Sequence, residues 1–254
     1  MRNARRFGAA FLIAIGLLVA IGIVARVRRS LGPPGGPAAR VPLGVATLLG
    51  QGEDTLTVSA TATDAAPAPL GTRGTVSLPP GAYRLGLNAS VWRLEIESGR
   101  TSSVPIGAVA VEGTGADRYD VLDRSGGSEA SRPTGKAMEL FPGKYGICLN
   151  GVWRDAVVEA GARETIRTGV LLVRAETGMV YRVLDPADGR PLAMREVGRP
   201  VEMFAGTYRI ACGGWSAVAT VRPGTKWVVQ PAAPGPAAGT NTVSGAAPSA
   251  LNLH

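Results

Sequence analysis

Leu78-Pro-Pro-Gly-Ala-Tyr83, Leu140-Phe-Pro-Gly-Lys-Tyr145 and Met203-Phe-Ala-Gly-Thr-Tyr208 are three versions of one phrase, and each runs on to a tryptophan, at Trp92, Trp153 and Trp215. The tyrosines stand 62 and 63 residues apart and the tryptophans 61 and 62. The spacing therefore holds over whole units and marks a tandem array of like modules. Gly81, Gly143 and Gly206 each precede a tyrosine by two residues. This is the pattern of a turn that needs a left-handed or crowded backbone.

The third unit gives the clearest strand pattern. Gly169–Val173 is an apolar run, followed by Tyr181–Asp185, a turn through Asp185-Pro-Ala-Asp-Gly189, and Arg199–Met203. Beyond Gly206 come Tyr208–Cys212, a reversal at Gly213-Gly214, Trp215–Val221, a reversal at Pro223-Gly224, and Lys226–Val229. Short alternating runs divided by Gly, Pro and Asp predict strands and tight turns. The second unit repeats them with Gly107–Val111, Tyr119–Asp123, Lys136–Leu140 and Tyr145–Leu149. Its Asn150-Gly151 is a type I′ hairpin signal. The first unit begins near Gly44–Leu49, continues through Leu56–Ala60, and is expected to turn over Asn88-Ala-Ser90. Because strand side chains alternate, Tyr83, Leu85 and Leu87 share a face, as do Tyr145, Ile147 and Leu149, and Tyr208, Ile210 and Cys212. That face is the predicted core.

The expected architecture is mostly β: three tandem antiparallel β-sandwich-like modules at 43–104, 105–167 and 168–230. A module of this size buries only about 60% of its unfolded surface, so neighbouring modules are expected to touch and stabilise one another. Residues 231–254 carry no charged side chain and are expected to be a low-complexity tail, disordered or ordered by a partner.

Ahead of the modules, Phe7–Ala25 is an unbroken apolar run that spans roughly 28 Å as a helix, close to the hydrocarbon thickness of a bilayer. It follows a short basic tail (1–6) and precedes a basic, Pro/Gly-rich linker (26–42). An uncleaved transmembrane anchor is expected rather than a signal peptide, whose apolar stretch is shorter and whose cleavage site is not a residue followed by Arg26. Gly8, Gly16 and Gly22 would allow a neighbouring helix to approach it closely. Arg2, Arg5 and Arg6 on one side nearly balance Arg26, Arg28 and Arg29 on the other, so charge does not orient the span. The modules are expected on the periplasmic side of a bacterial inner membrane, by analogy with other anchored β-modules. These six arginines also account for +6 of the net charge of +8. The body is nearly neutral and carries no electrostatic footprint for nucleic acid.

The phrases Leu78–Tyr83 and Leu140–Tyr145, each followed by a hairpin, resemble those of bacterial PEGA-type and carboxypeptidase-regulatory-like, or transthyretin-like, β-sandwich modules. Asp185-Pro-Ala-Asp-Gly-Arg-Pro-Leu192 is similar to a hairpin of the regulatory-like group, whereas the third phrase departs with Ala205 where the pattern has proline. The resemblance implies a supporting or recognition role without catalysis.

Candidate chemistry is sparse. The single histidine is His254, so a Ser-His-Asp or Cys-His arrangement has no scaffold. One histidine and two separated cysteines give no zinc spacing, and neither a metal nor a cofactor is expected. Asp185 and Asp188, and Asp117, Asp120 and Asp123, are expected to cap turns rather than bind calcium. Glu95 and Glu97 share a strand face with no opposing carboxylate for glycoside chemistry. Cys148 and Cys212 fall on opposite faces of equivalent strands, against a disulfide. Recurrence assigns Trp92, Trp153 and Trp215 to the cores, and leaves Trp227, which has no counterpart, as the expected exposed contact. Asn88-Ala-Ser90 also matches a glycosylation sequon.

The function expected from these features is that of a non-enzymatic, single-pass membrane protein that braces a larger membrane complex. Its partners would be other membrane subunits and the bilayer, with no nucleic acid or small-molecule ligand. The alternative is a module that binds glycan or peptidoglycan in the cell envelope.

Overall fold

The computed structural model describes residues 42–62, 66–124, 129–231 and 249–250. The expected span at 7–25, with Gly8, Gly16 and Gly22, lies outside them, as do most of the tail and His254. Among the described residues no helix is long and apolar enough to cross a membrane. The described residues from Leu43 on form one compact unit.

Among the described residues that unit is built from three sevens of strands and one short addition. The first module contains β1 (Gly44–Leu49), β2 (Thr55–Ala60), β3 (Ala68–Gly71), β4 (Arg73–Leu78), β5 (Gly81–Leu87), β6 (Ser90–Ile96) and β7 (Thr101–Val104). The second has β8 (Gly107–Val111), β9 (Arg118–Asp123), β10 (Glu129–Pro133), β11 (Ala137–Leu140), β12 (Gly143–Leu149), β13 (Val152–Val158) and β14 (Arg163–Ile166). The third has β15 (Thr168–Val173), β16 (Val180–Leu184), β17 (Pro191–Glu196), β18 (Val201–Phe204), β19 (Gly206–Cys212), β20 (Trp215–Val221) and β21 (Thr225–Val229), and a short β22 (Ser249–Ala250) adds to β21.

Each module pairs a small sheet, β4-β1-β7, β11-β8-β14 or β18-β15-β21, with a four-stranded one, β3-β2-β5-β6, β10-β9-β12-β13 or β17-β16-β19-β20. The modules are not wholly antiparallel as expected, because the first and last strands of each run parallel: β1 with β7, β8 with β14, β15 with β21. Every residue of β8 and β15 is buried. This accounts for the apolar runs Gly107–Val111 and Gly169–Val173 within them, since a strand covered on both faces has no polar side to show.

The inward-facing sets of β5, β12 and β19 are buried as predicted. Their tyrosines also tie the preceding turn: the hydroxyls of Tyr83, Tyr145 and Tyr208 donate to the carbonyls of Pro79, Phe141 and Phe204 at 2.8, 2.7 and 2.9 Å. A Cβ on Gly143 or Gly206 would meet that hydroxyl at 3.3 Å, and Gly81 has φ of 149°. Crowding and backbone conformation together explain the repeated glycine. Asn150 and Gly151 make the expected tight turn, with φ of 48° and 76°. The first module also turns in two residues, Asn88-Ala89, because Leu87 pairs with Ser90.

The tryptophans are not equivalent. Trp92 lies opposite Leu85, Trp153 opposite Cys148 and Trp215 opposite Cys212, which are successive positions in the shared register. One residue of slip turns a side chain to the other face. Trp92 and Trp215 therefore face inward and are half-buried, while Trp153, expected in a core, points outward and is 47% exposed. Trp227, expected on the surface, is half-buried against the third core.

Candidate functional site at the module joints

Among the described residues the most elaborate polar chemistry lies between modules. β11 is the outer strand of its sheet, and in the middle of its buried Ala-Met-Glu-Leu run stands Glu139, 1% exposed. The loop that follows β1 wraps its carboxylate. The backbone N–H groups of Gln51, Gly52 (3.3 Å) and Asp54 (3.0 Å) donate to it, as does the hydroxyl of Thr72 at 2.6 Å. In return Asp54 accepts from the backbone N–H of Glu139 at 2.8 Å, and Asn88 donates its side-chain amide to the Glu139 carbonyl at 2.9 Å. Arg132 and Asn88 close the network on the Asp54 carboxylate.

The same arrangement recurs one module later. Glu202, also 1% exposed, accepts from the backbone and hydroxyl of Thr114 and from the hydroxyl of Thr134. Its N–H donates to Asp117 at 2.7 Å, its carbonyl accepts from Asn150 at 2.8 Å, and Arg195 donates to Asp117 at 2.6 Å. Each joint therefore has a socket, made of Gly50, Asp54, Thr72 and Asn88 or of Gly113, Asp117, Thr134 and Asn150. Each also has a plug, made of Arg132, Glu139 and Phe141 or of Arg195, Glu202 and Phe204. The glycines are required by the plug: a Cβ on Gly50 or Gly113 would fall 2.8 Å from the glutamate oxygen.

An aromatic anchor completes each joint. Phe141 belongs to the core of the first module, where its ring lies 5.9 Å from that of Trp92. Phe204 belongs to the core of the second, where the guanidinium of Arg154 sits 5.1 Å over its ring. Trp92 and Arg154 are equivalent positions, opposite Leu85 and Ile147. A tilted indole–phenyl contact at one joint is thus replaced by a cation–π contact at the other. Ala89, at the tip of the first module's hairpin, is buried in the core of the second.

Burying a carboxylate is costly unless its lone pairs are satisfied. Here they are, and no buried side-chain polar atom among the described residues lacks a partner. The chemistry suits docking: both carboxylates are committed to fixed donors and hold two modules in register.

The other sequence candidates lie apart. Asp117 serves the joint rather than its own turn, contrary to expectation. Asp185 and Asp188 do cap theirs, accepting from the N–H groups of Ala187 and Arg190 at 2.9 and 2.8 Å. Glu97 pairs with Arg100 on the surface. Asn88 of the sequon has its amide in the joint. Cys148 and Cys212 are free thiols, half-buried and buried, and burial pushes both thiols up. Among the described residues no group of three or more His, Cys, Asp or Glu is placed to hold a metal ion. The joint glutamates Glu139 and Glu202 were missed in the sequence, although an acid inside an apolar strand, twice at a spacing of 63 residues, was their signal, and Asp117, Asn88 and Asn150 were read only as turn residues or a sequon.

No protein-family model matches the chain, and no curated protein does. Among solved structures it is similar to one described as the Bacillus anthracis TIE protein, at 14% identity over 74% of this chain, with a TM-score of 0.21. The chain spans about half the length of that structure, 50% of it being covered. So slight a likeness bears on neither fold nor function.

Proposed function

We propose that this chain is a non-catalytic, single-pass membrane protein whose modules, of PEGA or carboxypeptidase-regulatory-like type, form a structural accessory subunit of a larger membrane complex. The observation that carries this reading is the pair of joints. Consecutive modules follow one another with no spacer, and each is keyed to the next through a buried, fully partnered carboxylate and an inserted phenylalanine. Such construction makes a body of fixed form, suited to bracing other proteins. Its outward strands also present Trp153, Val157, Met194 and Val218, apolar side chains available to protein partners. The anchor at 7–25 would pack against neighbouring helices through Gly8, Gly16 and Gly22.

Purification from native membranes in gentle detergent, followed by mass spectrometry, tests the proposal. Stoichiometric membrane subunits are expected to accompany the chain, and bulky replacements of Gly16 and Gly22 to weaken that association. A chain that migrates alone refutes it.

One observation favours a second reading, a peptidoglycan-binding module: Trp153 offers an exposed indole as a stacking platform. Muropeptides would then quench tryptophan emission in the native chain and not in Trp153→Ala. Equal quenching, or none, removes this reading.

A further inference from the structure

Both halves of the joint are absent where they would be free. In the third module, the register places Ala175, Met179, Val197 and Gly213 at the socket positions held elsewhere by Gly50 or Gly113, Asp54 or Asp117, Thr72 or Thr134, and Asn88 or Asn150. Much of the backbone frame is retained. Val197 N–H donates to the Met179 carbonyl at 2.9 Å as Thr134 does to Asp117 at 2.9 Å, and Gly198 donates to Val173 as Gly135 does to Val111. Gly213 has φ of 50°, against 48° at Asn88 and Asn150. The chemistry has changed on that frame: no carboxylate awaits an incoming N–H, and no hydroxyl or side-chain amide awaits a glutamate. Met179 takes over part of the space, since a Cβ on Gly213 would fall 1.8 Å from its methyl.

In the first module the plug positions of Arg132, Glu139 and Phe141 are Leu70, Ser77 and Pro79. Pro79 has no N–H to give, whereas that of Phe141 donates to Ser90 at 3.0 Å. A first module meeting the third module of another copy would therefore find none of the side-chain hydrogen bonds that hold the internal joints.

A heterologous contact whose two halves both lie on one chain, at opposite ends of an array, propagates into open filaments unless something stops it. We propose that the joint is a recognition device for any like module, and that its erasure from the third socket and the first plug prevents copies of this chain from coupling head to tail. The outer strand β4 is the edge that would otherwise take a partner.

The test restores the halves in the full chain in detergent. One variant carries Ala175→Gly, Met179→Asp, Val197→Thr and Gly213→Asn; the other carries Leu70→Arg, Ser77→Glu and Pro79→Phe. Each alone is expected to keep the wild-type mass in sedimentation, and their equimolar mixture to show a doubled mass that is lost when the second variant carries Ser77→Gln in place of Ser77→Glu. A mixture that stays at the wild-type mass, with both variants melting as the wild type does, overturns the proposal. A second measurement stands if a variant fails to fold: Ser77→Cys and Val197→Cys chains, mixed and treated with a short bismaleimide, are expected to give no 77–197 cross-link. Such a cross-link would show that the unmodified ends already couple.

Discussion

Replacing Glu139 by alanine removes the acceptor shared by three backbone N–H groups and one hydroxyl, all in the preceding module. Hydrogen bonds to a charged group contribute about 1.5–3 kcal/mol each, but donors gathered on one carboxylate are not additive. Removing one member of a buried ionic cluster costs about 3–5 kcal/mol, because what remains is buried without a partner. Asp54 keeps Arg132 and Asn88, so the loss should fall within that range and not beyond it. The loss is local to the first joint. Hydrogen exchange read by mass spectrometry over residues 50–55 should show the amides of Gln51, Gly52 and Asp54 losing about a hundredfold or more of their protection, since each 1.4 kcal/mol is about a factor of ten. Urea unfolding should split, with the first module melting ahead of the other two. A variant that loses less than about 1 kcal/mol and unfolds in one transition with its loop still protected would refute the role given to this carboxylate.

The remaining expectations concern the second joint, the tyrosines and the thiols. Phe204→Ala empties a buried site in the neighbouring module's core and should cost about 3–5 kcal/mol in denaturant unfolding, whereas a loss under 1 would mean that the ring is not an anchor. Gly113→Ala puts a Cβ 2.6 Å from that of Thr134 and 2.8 Å from a Glu202 oxygen and should cost about 1–3 kcal/mol, while Ala175→Gly should change stability by less than about 1 kcal/mol in the same denaturation series. All five tyrosines are held above the ordinary 10.0 by burial, Tyr145 at about 12. Their contribution to stability is present below pH 10 and is lost as pH rises toward the folded values, so phenolate absorbance should appear only with alkaline unfolding. A wave near pH 10 in folded protein would contradict this. Cys148 should react with a thiol reagent well before Cys212, and equal rates in the native chain would count against the burial assigned to them.

Much of the module could be read from the sequence because its pattern is local. The inward triplet Tyr145, Ile147 and Leu149, the turn at Asn150-Gly151 and the opposite faces of the two cysteines follow from alternation alone. The direction of β7, β14 and β21 did not follow, since alternation is the same whichever way a strand runs. The tryptophans misled for a related reason: spacings of 61 and 62 hide shifts of one position that decide between core and solvent. The joints were missed because the repeated acid of β11 and β18 acquires its meaning only from residues far away in the chain. Glu202 is unintelligible beside Val201 and Met203 until Asp117, 85 residues away, is seen to accept its N–H.

The parallel pairing of first and last strands has a mechanical consequence. When a module is pulled by its two chain ends, β1 is drawn from its start and β7 from its finish, so the strands are sheared past one another. The register from Val45↔Thr101 to Leu48↔Val104 is then loaded all at once, whereas a hairpin peeled from its open end yields one rung at a time. β8 with β14 and β15 with β21 repeat the geometry, placing three shear clamps in series along the line of tension.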